Sequence, residues 1–521
     1  MGKSFLSRTF AALIALGCGG LMLACGGAID QSRVTGSVAQ TANPLVAQYT
    51  VSSGCVGEAV VEFGPDTSYG RSTGSVPVVG AYKTSTILVA GMRASTTYHM
   101  RAEVTCLNSG QPISTADTTF TTGPLPSSVP FPQMTISRPS PSKTSPENPG
   151  IELVDIIQLS GSSGMQAYFT DRDANPIWYY DVGANNYPFT MKLLPNGHVI
   201  LTIDGTTISS LREVDLAGNT IQEMLIGDLQ NKVKSAGYDF VPVAYHHDIC
   251  VLPNGHLVVL VQTFKNFTDL PGYPGTTQVV GDALIDLDQN WNPVWSWNTF
   301  DHLDINRHLY GLPDWTHSNA LVYDPNDGNL LLSMRHQSWV IKVDYANGTG
   351  AGDIMWHLGY QGDYALTQNG VPTTDPSLWF SFQHFPSIVS QSGTQTTLAV
   401  WDNGDFRVLD TNGDVCQPGT CYSRALILQY DQSSMVANIN WQHVPGLYSL
   451  WGGSINQLQN TNVEFDLNAP FPGTSAPWAS EVQEVTQTSA PQIVWKMDIA
   501  PGNAYRAYRV PSLYPGVTWQ Y

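Results

Sequence analysis

Three histidines stand at the same place in successive repeats of the sequence: His247 in "YHHDICVLPNGH", His317 in "DWTHSNALVYD" and His384 in "FSFQHFPSI". Arg335 follows His317 in "SMRHQSWVIKVD", within a run otherwise rich in Leu, Met, Trp, Val and Ile. A guanidinium in so apolar a run is costly unless an anion awaits it. Its planar fork suits two oxygens of that anion, while a neutral imidazole can attack an electrophile or pass a proton. A lone histidine at a strand start is usually a hydrogen-bonded structural residue. Three at one repeat position, with an arginine close by, predict chemistry on an anionic substrate.

The elements that must position these side chains recur from about residue 150 to residue 521. "MKLLPNGHVILTI" with "LREVDLAGNTIQEM" matches "HHDICVLPNGHLVVLVQ" with "DALIDLDQNWNPVWSW", then "HSNALVYDPNDGNLLLSMR" with "WVIKVDYANGTGAGDIMWHLG", then "HFPSIVSQSGTQTTLAVWDNG" with "ALILQYDQSSMVANINWQ". Each unit reads as a strand, an Asn-Gly or similar hairpin turn, a strand, a further strand ending in Asp, another turn and a Trp-ended strand. Two less regular units, from near Ile151 and near Leu450, bring the count to about six. The predicted fold is all-β, a six-bladed β-propeller. The first strand of a blade lines the central channel, so His247, His317 and His384 should converge near the axis. Arg335, on the second strand beyond the turn at Asp327–Gly328, should return to the level from which the first strand set out.

Composition agrees with an all-β exported protein. Only 12% of the 521 residues are charged, the formal net charge is −19, and Gly (47) and Pro (34) are abundant. Nothing is basic enough to attract nucleic acid or an anionic membrane surface, so an anionic substrate needs a locally positive pocket. Residues 1–25 read as an export leader, and "LMLAC" resembles a lipobox that would make Cys25 a lipidated first residue and the membrane a partner through that anchor. Residues 43–123, with Tyr98 as a tyrosine-corner candidate, read as a fibronectin III-like β-sandwich. Residues 124–149 are a proline-rich linker or strap, and residues 150–521 the propeller. Cys416 and Cys421 of "CQPGTC" are expected to pair, as are Cys55 and Cys106, whereas Cys250 is expected as a buried thiol. Asn403 and Asp405 of "WDNGD" suit a turn, and the acceptor-type patterns at Asn266 and Asn347 are coincidental in a chain with a bacterial-type leader.

The stretches around His247, His317, Arg335 and His384 resemble the bacterial arylsulfate sulfotransferases, over roughly residues 151–516. That family moves a sulfuryl group between phenols without a nucleotide donor, and its fold is a six-bladed propeller preceded by a small β-sandwich. The resemblance implies that His384 is the nucleophile, forming a transient sulfohistidine in ping-pong exchange. It implies that His317, Asn319, Arg335 and a histidine of "HHD" hold the sulfuryl oxygens and manage protons. His247, which directly precedes Asp248, is favoured as the catalytic one, with His246 as a substrate contact. The partners so implied are an aryl sulfate donor and a phenolic acceptor, with no cofactor and no metal. Trp315, Trp339, Trp379, Phe380 and Phe382 flank the cluster and could stack on a ring, although such residues more often fill the space between blades. Two readings compete: three histidines at an axis could hold a divalent metal for hydrolysis or elimination, or the propeller could bind ligands without catalysis. A fixed arginine beside the histidines argues against the metal. The oligomeric state stays open, a homodimer being the candidate.

Overall fold

The computed structural model describes residues 30–520 apart from residues 31, 109, 130, 140–145, 158–165, 207, 418 and 469–478. The expected leader and Cys25 lie outside the described residues, among which no helix is long and apolar enough to cross a membrane.

The N-terminal region is two packed sheets. Val34–Gln40, Ala47–Ser53 and Thr84–Val89 form one, and the other is built on Val56–Gly64 paired with Thr97–Cys106. Strict alternation along Thr97–Cys106 sends Tyr98, Met100, Ala102, Val104 and Cys106 inward, the signature of a sheet with one buried face. Tyr98 behaves as its position suggested: its hydroxyl accepts the N–H of Arg93 at 2.9 Å. Cys55 and Cys106 are disulfide-bonded. The first strand begins at Val34, ahead of the expected start at residue 43. "VTGSVAQ" is a largely exposed edge with little apolar alternation, so nothing in its pattern announces a strand.

Among the described residues from Gln133 onward there are six sheets, in which every strand pairing but one short addition is antiparallel. Four follow in chain order: Asn186–Leu225, Ala244–Asn298, Ser318–Gly359 and His384–His443. The fifth runs Ser454–Ala500 and gains an extra outer strand from Gln133–Ser137, so the proline-rich segment is the strap that its composition allowed. The sixth combines Ile151–Asp181 with the C-terminal strand Asn503–Val510, which pairs with Ile151–Ile157. Each sheet contacts the next, and the sheet of Ser454–Gln457 contacts Asn503–Val510, closing the circuit. The architecture is all-β and propeller-like.

Tryptophan explains how the sheets hold together. In five of the six described sheets an indole N–H crosses to the following sheet or its flanking loop: Trp178 to the Leu216 carbonyl, Trp297 to Gly352, Trp356 to Gln432 Oε1, Trp441 to Thr488 and Trp495 to Arg172. A buried indole needs such an acceptor, so the recurring Trp pins one sheet to its neighbour while filling the gap. Trp519 and Tyr514, at the chain's end, pack against the N-terminal sheets through Phe63 and the Leu88 carbonyl.

Candidate active site

Three of the sheets present Ala244–Val251, Ser318–Asp324 and His384–Ser392 as edge strands. In each, the ladder is interrupted at the residues of interest: pairing jumps from Tyr245 to Ile249, from Ser318 to Ala320, and from His384 to Ser387. A bulge re-aims the side chains it carries, and here it removes His246, His247, Asn319 and the backbone after His384 from regular alternation. His247 therefore lies within its strand rather than ahead of it, whereas His317 precedes its strand and His384 opens one. His317 adopts φ 46, a left-handed backbone that non-glycine residues reach at a cost of roughly 1–2 kcal/mol.

The histidines converge as expected. Ring centroids are 3.9 Å apart for His246 and His247, 5.0 Å for His247 and His317, and 4.6 Å for His317 and His336. Tyr505 bridges the remaining gap, stacked on His247 at 5.0 Å and edge-on to His384 at 6.1 Å. The two members of "HHD" are not equivalent. His246 is held at both nitrogens, Nδ1 by Asp282 at 3.0 Å and Nε2 by the Gln262 amide at 3.3 Å. His247 meets His317, Nε2 to Nε2, at 3.2 Å, and its buried Nδ1 has no partner. His317 Nδ1 bonds Asp314 Oδ2 at 2.7 Å. The carboxylate requires a hydrogen on His317 Nδ1, so His317 Nε2 accepts and His247 Nε2 donates. A proton line thus runs from His247 through His317 to Asp314, which is about one-third exposed.

His384 is 1% exposed. Its Nδ1 meets Asn403 Oδ1 at 2.7 Å, and Asn403 is oriented by donating its amide to the Ser449 and Gly452 carbonyls at 2.9 and 3.1 Å. Because that amide oxygen can only accept, the hydrogen sits on Nδ1 and the lone pair on Nε2, faced by the Gly452 N–H at a long 3.3 Å. Burial, reinforced by Arg335, holds the His384 pKa well below the ordinary range. Burial also depresses His247, and it depresses His317 against the pull of Asp314. All three are neutral near neutral pH.

Arg335 departs from its expected place on the second strand. That strand ends at Met334, and Arg335 opens a single 3₁₀ turn, Arg335–Gln337. The cause lies in bonds to the entry of the preceding strand: the His336 Nδ1 and Gln337 amide bond the Asp314 and Trp315 carbonyls at 2.8 and 2.7 Å, drawing the chain out of the ladder. The Arg335 guanidinium is then set by Asp405 Oδ2 and the Leu450 carbonyl, both at 3.1 Å, and by His336 Nε2 at 2.8 Å, while Nε lacks a partner. Asp405 and Asn403 are therefore positioning groups of this site, not turn formers alone. Asn319 spends one amide N–H on the Gln383 carbonyl at 2.7 Å, and its Oδ1 has no partner.

Sequence reasoning missed Arg506 and Tyr505. Arg506 is buried, bonds Asp248 at 3.1 Å and reaches the Asn319 carbonyl, with its guanidinium 4.9 Å from the Phe385 ring centroid. The signal was two arginines in "AYRAYRV", a run otherwise patterned for a buried strand. The nitrogens of His246, His247 and His317 lie within 4.8 Å of one another, as do ligand atoms of Asp314, His317 and His336. Each trio is short of a ligand, since the two ring nitrogens of His246 and of His336 are already engaged. Of the flanking aromatics, Phe382 lies 5.0 Å below Arg335, whereas Trp315 and Trp339 donate their indole N–H to carbonyls of Arg307 and Tyr360.

The Arylsulfotransferase (ASST) family model matches residues 140–509. The chain belongs to that family. No curated protein matches it. Among solved structures, a protein of unknown function from Bacteroides caccae is 12% identical and aligns over 57% of this chain and 94% of its own, with a TM-score of 0.31. The dihydro-heme d1 dehydrogenase NirN is 13% identical over 72% of this chain and 80% of its own, with a TM-score of 0.30. Likenesses this loose say nothing about chemistry. Membership of the arylsulfotransferase family makes the chain a sulfotransferase with a small-molecule donor and acceptor, and the converging histidines lie within the matched residues.

Proposed function

We propose that this arylsulfotransferase is a six-bladed propeller that carries a sulfuryl group from an aryl sulfate to a phenol through a sulfohistidine at His384. Sulfuryl transfer passes through a loose, planar SO3-like species, so the protein supplies in-line positioning and fixed positive donors, as in phosphoryl transfer. Arg335, with the free N–H of Asn319, grips the sulfuryl oxygens. His384 Nε2 attacks sulfur, the N–S bond forms as the S–O bond to the aryl group breaks, and the electron pair leaves on the phenolate. The Gly452 N–H turns from Nε2 to a sulfuryl oxygen. The phenolate departs and takes its proton from solvent; the Nδ1 lone pair of His247 takes one from the incoming phenol, whose oxygen attacks sulfur and returns the lone pair to His384, and the line through His317 to Asp314 returns that proton to solvent. His246 and Arg506 hold their neighbours in place, the first through Asp282, the second through Asp248.

The observation that carries this reading is the tautomer of His384: a buried, neutral imidazole whose Nδ1 is fixed by Asn403 and whose Nε2 bears the lone pair. It suits a nucleophile that needs no base, and the N-sulfonated imidazolium is a competent leaving group. The test is isotope exchange. With an aryl sulfate and its own labelled phenol as the sole reactants, label should enter the ester, and initial rates with a second phenol should give parallel double-reciprocal lines. Intersecting lines without exchange contradict the double displacement. Turnover lost to a chelator and restored by Zn²⁺ would favour the metal-centred alternative instead. We further propose, from the leader and the disulfides Cys55–Cys106 and Cys416–Cys421, that the enzyme is exported and lipid-anchored.

A further inference from the structure

We propose that the cleft beside Phe382 is a subsite for a second ring of the aryl substrate, so that the enzyme selects extended phenols over single-ring ones. The inference rests on the transfer reading and adds the substrate class to it. Phe382 is shared by two environments. Its ring lies 5.0 Å from the Arg335 guanidinium and 5.4 Å from the His336 ring. It also lines a cavity of about 370 Å³ with Leu309, Trp379, Phe406, Arg407 and Val415. An engineered cavity of about 150 Å³ takes benzene, so this volume holds a substituted ring.

Three features fit the cleft to such a ring. First, Tyr310 and Phe406 stand at the rim 39% and 45% exposed, with ring centroids 5.6 Å apart; uncovered aromatic faces of this size are the ordinary sign of a binding surface. Second, Phe382 and Phe406 have φ 53 and 47, a left-handed backbone that costs a phenyl-bearing residue roughly 1–2 kcal/mol and persists where structure over-determines it. Third, Arg407 fixes the wall: its guanidinium pairs with Asp402 at 2.9 Å and donates to the Trp379 and Tyr422 carbonyls at 2.8 and 3.1 Å, which holds Trp379 in place. The outer wall is a held hairpin. Val408 and Val415 form a bridge, the Cys416 N–H bonds the Arg407 carbonyl at 2.9 Å, and Cys416 is disulfide-bonded to Cys421. The disulfide at Cys416 thus ties down the segment that brings Val415 to the cleft.

The experiment compares phenol with 4-hydroxybenzophenone as acceptors from p-nitrophenyl sulfate. Wild-type kcat/KM should favour the two-ring acceptor at least tenfold, and Val415→Trp, which fills the cleft, should bring the ratio towards one by raising KM for the larger acceptor. Because the substitution could disturb folding, binding of 4-hydroxybenzophenone is also measured by saturation-transfer NMR in His384→Asn with and without Val415→Trp, alongside the circular dichroism of each. Binding at least tenfold weaker with the cleft filled supports the subsite. Equal ratios, or equal binding, in filled and unfilled proteins overturn it while leaving the transfer reading intact. Absence of transfer from wild type to either acceptor overturns the transfer reading, and the binding arm still decides the cleft.

Discussion

In the N-terminal pair of sheets, residues 34–121, every buried side-chain nitrogen and oxygen among the described residues has a partner, whereas those without one all lie at Glu152 or later. The two regions share their strand chemistry, alternation and a disulfide each. They differ in where their backbones are irregular. Both carry left-handed non-glycine residues in turns, such as Tyr69, Ala81 and Ser95 in the sandwich and Asn185, Gln361 and Asn369 in the ring; the ring alone adds His317, Phe382 and Phe385 at the site itself. An unpaired buried polar atom costs about 1–3 kcal/mol. His247 Nδ1, Asn319 Oδ1, Arg335 Nε and Arg506 Nε gather at the histidine cluster, while others, such as those of Asp155, Asp466 and Asn503, lie elsewhere in the sheets. The difference teaches that the ring carries buried polar chemistry which the sandwich does without.

That contrast can be broken by substitution. The largest effect is expected at Asn403→Ala, which frees the His384 ring to take the wrong tautomer. Its kcat should fall by about 10²–10³, the range for losing one preorganised donor or acceptor, with thermal stability altered far less than kcat; steady-state kinetics and a melting curve decide. Unchanged kcat would remove Asn403 from the site.

A middle-sized effect is expected with pH. Burial, working against Arg335 and Tyr448, pushes the Asp405 carboxyl up to about 6. A carboxyl raised above its unfolded value contributes stability at low pH that is lost as pH rises through about 6, yet only the ionised form anchors Arg335. Turnover should therefore fall as pH drops below about 6, and Asp405→Asn should abolish that limb at the expense of a lower plateau. A limb that persists in the variant belongs to another group. His336, depressed by burial to about 3, acts in the opposite sense on folding, withholding stability as pH falls from about 6.5.

The smallest effect is expected in the sandwich. Tyr98→Phe removes the hydroxyl that accepts from Arg93 and should cost about 1 kcal/mol of stability with kcat unaltered. A loss of kcat in that variant would mean that the change is passed to the ring, for which Arg93, paired with Asp171 and Asp173, supplies a route.

How much of this was legible follows from which interactions are local. The repeat, its turns and its tryptophans could be read because each is carried by a short stretch, and the histidines could be located because they recur within it. Arg335 could not be placed, since its exit from the strand is decided by bonds from His336 and Gln337 to carbonyls of another strand's entry. Asn403 reads as a turn residue because its "DNGD" neighbourhood does turn; its bond to His384 spans residues 384 to 403 and depends on the bulge that follows His384. Arg506 and Tyr505 reach the cluster only because the C-terminal strand closes the ring beside Ile151–Ile157, a pairing no local pattern announces.

The most direct test is rapid, acid-free quenching of the enzyme with aryl sulfate in the absence of acceptor, followed by mass analysis of the peptide around His384. One added SO3 on His384, absent from His384→Asn and discharged by phenol, is the expected result. Turnover proceeding with that peptide unmodified, or the group found on another residue, would contradict a sulfohistidine at this position.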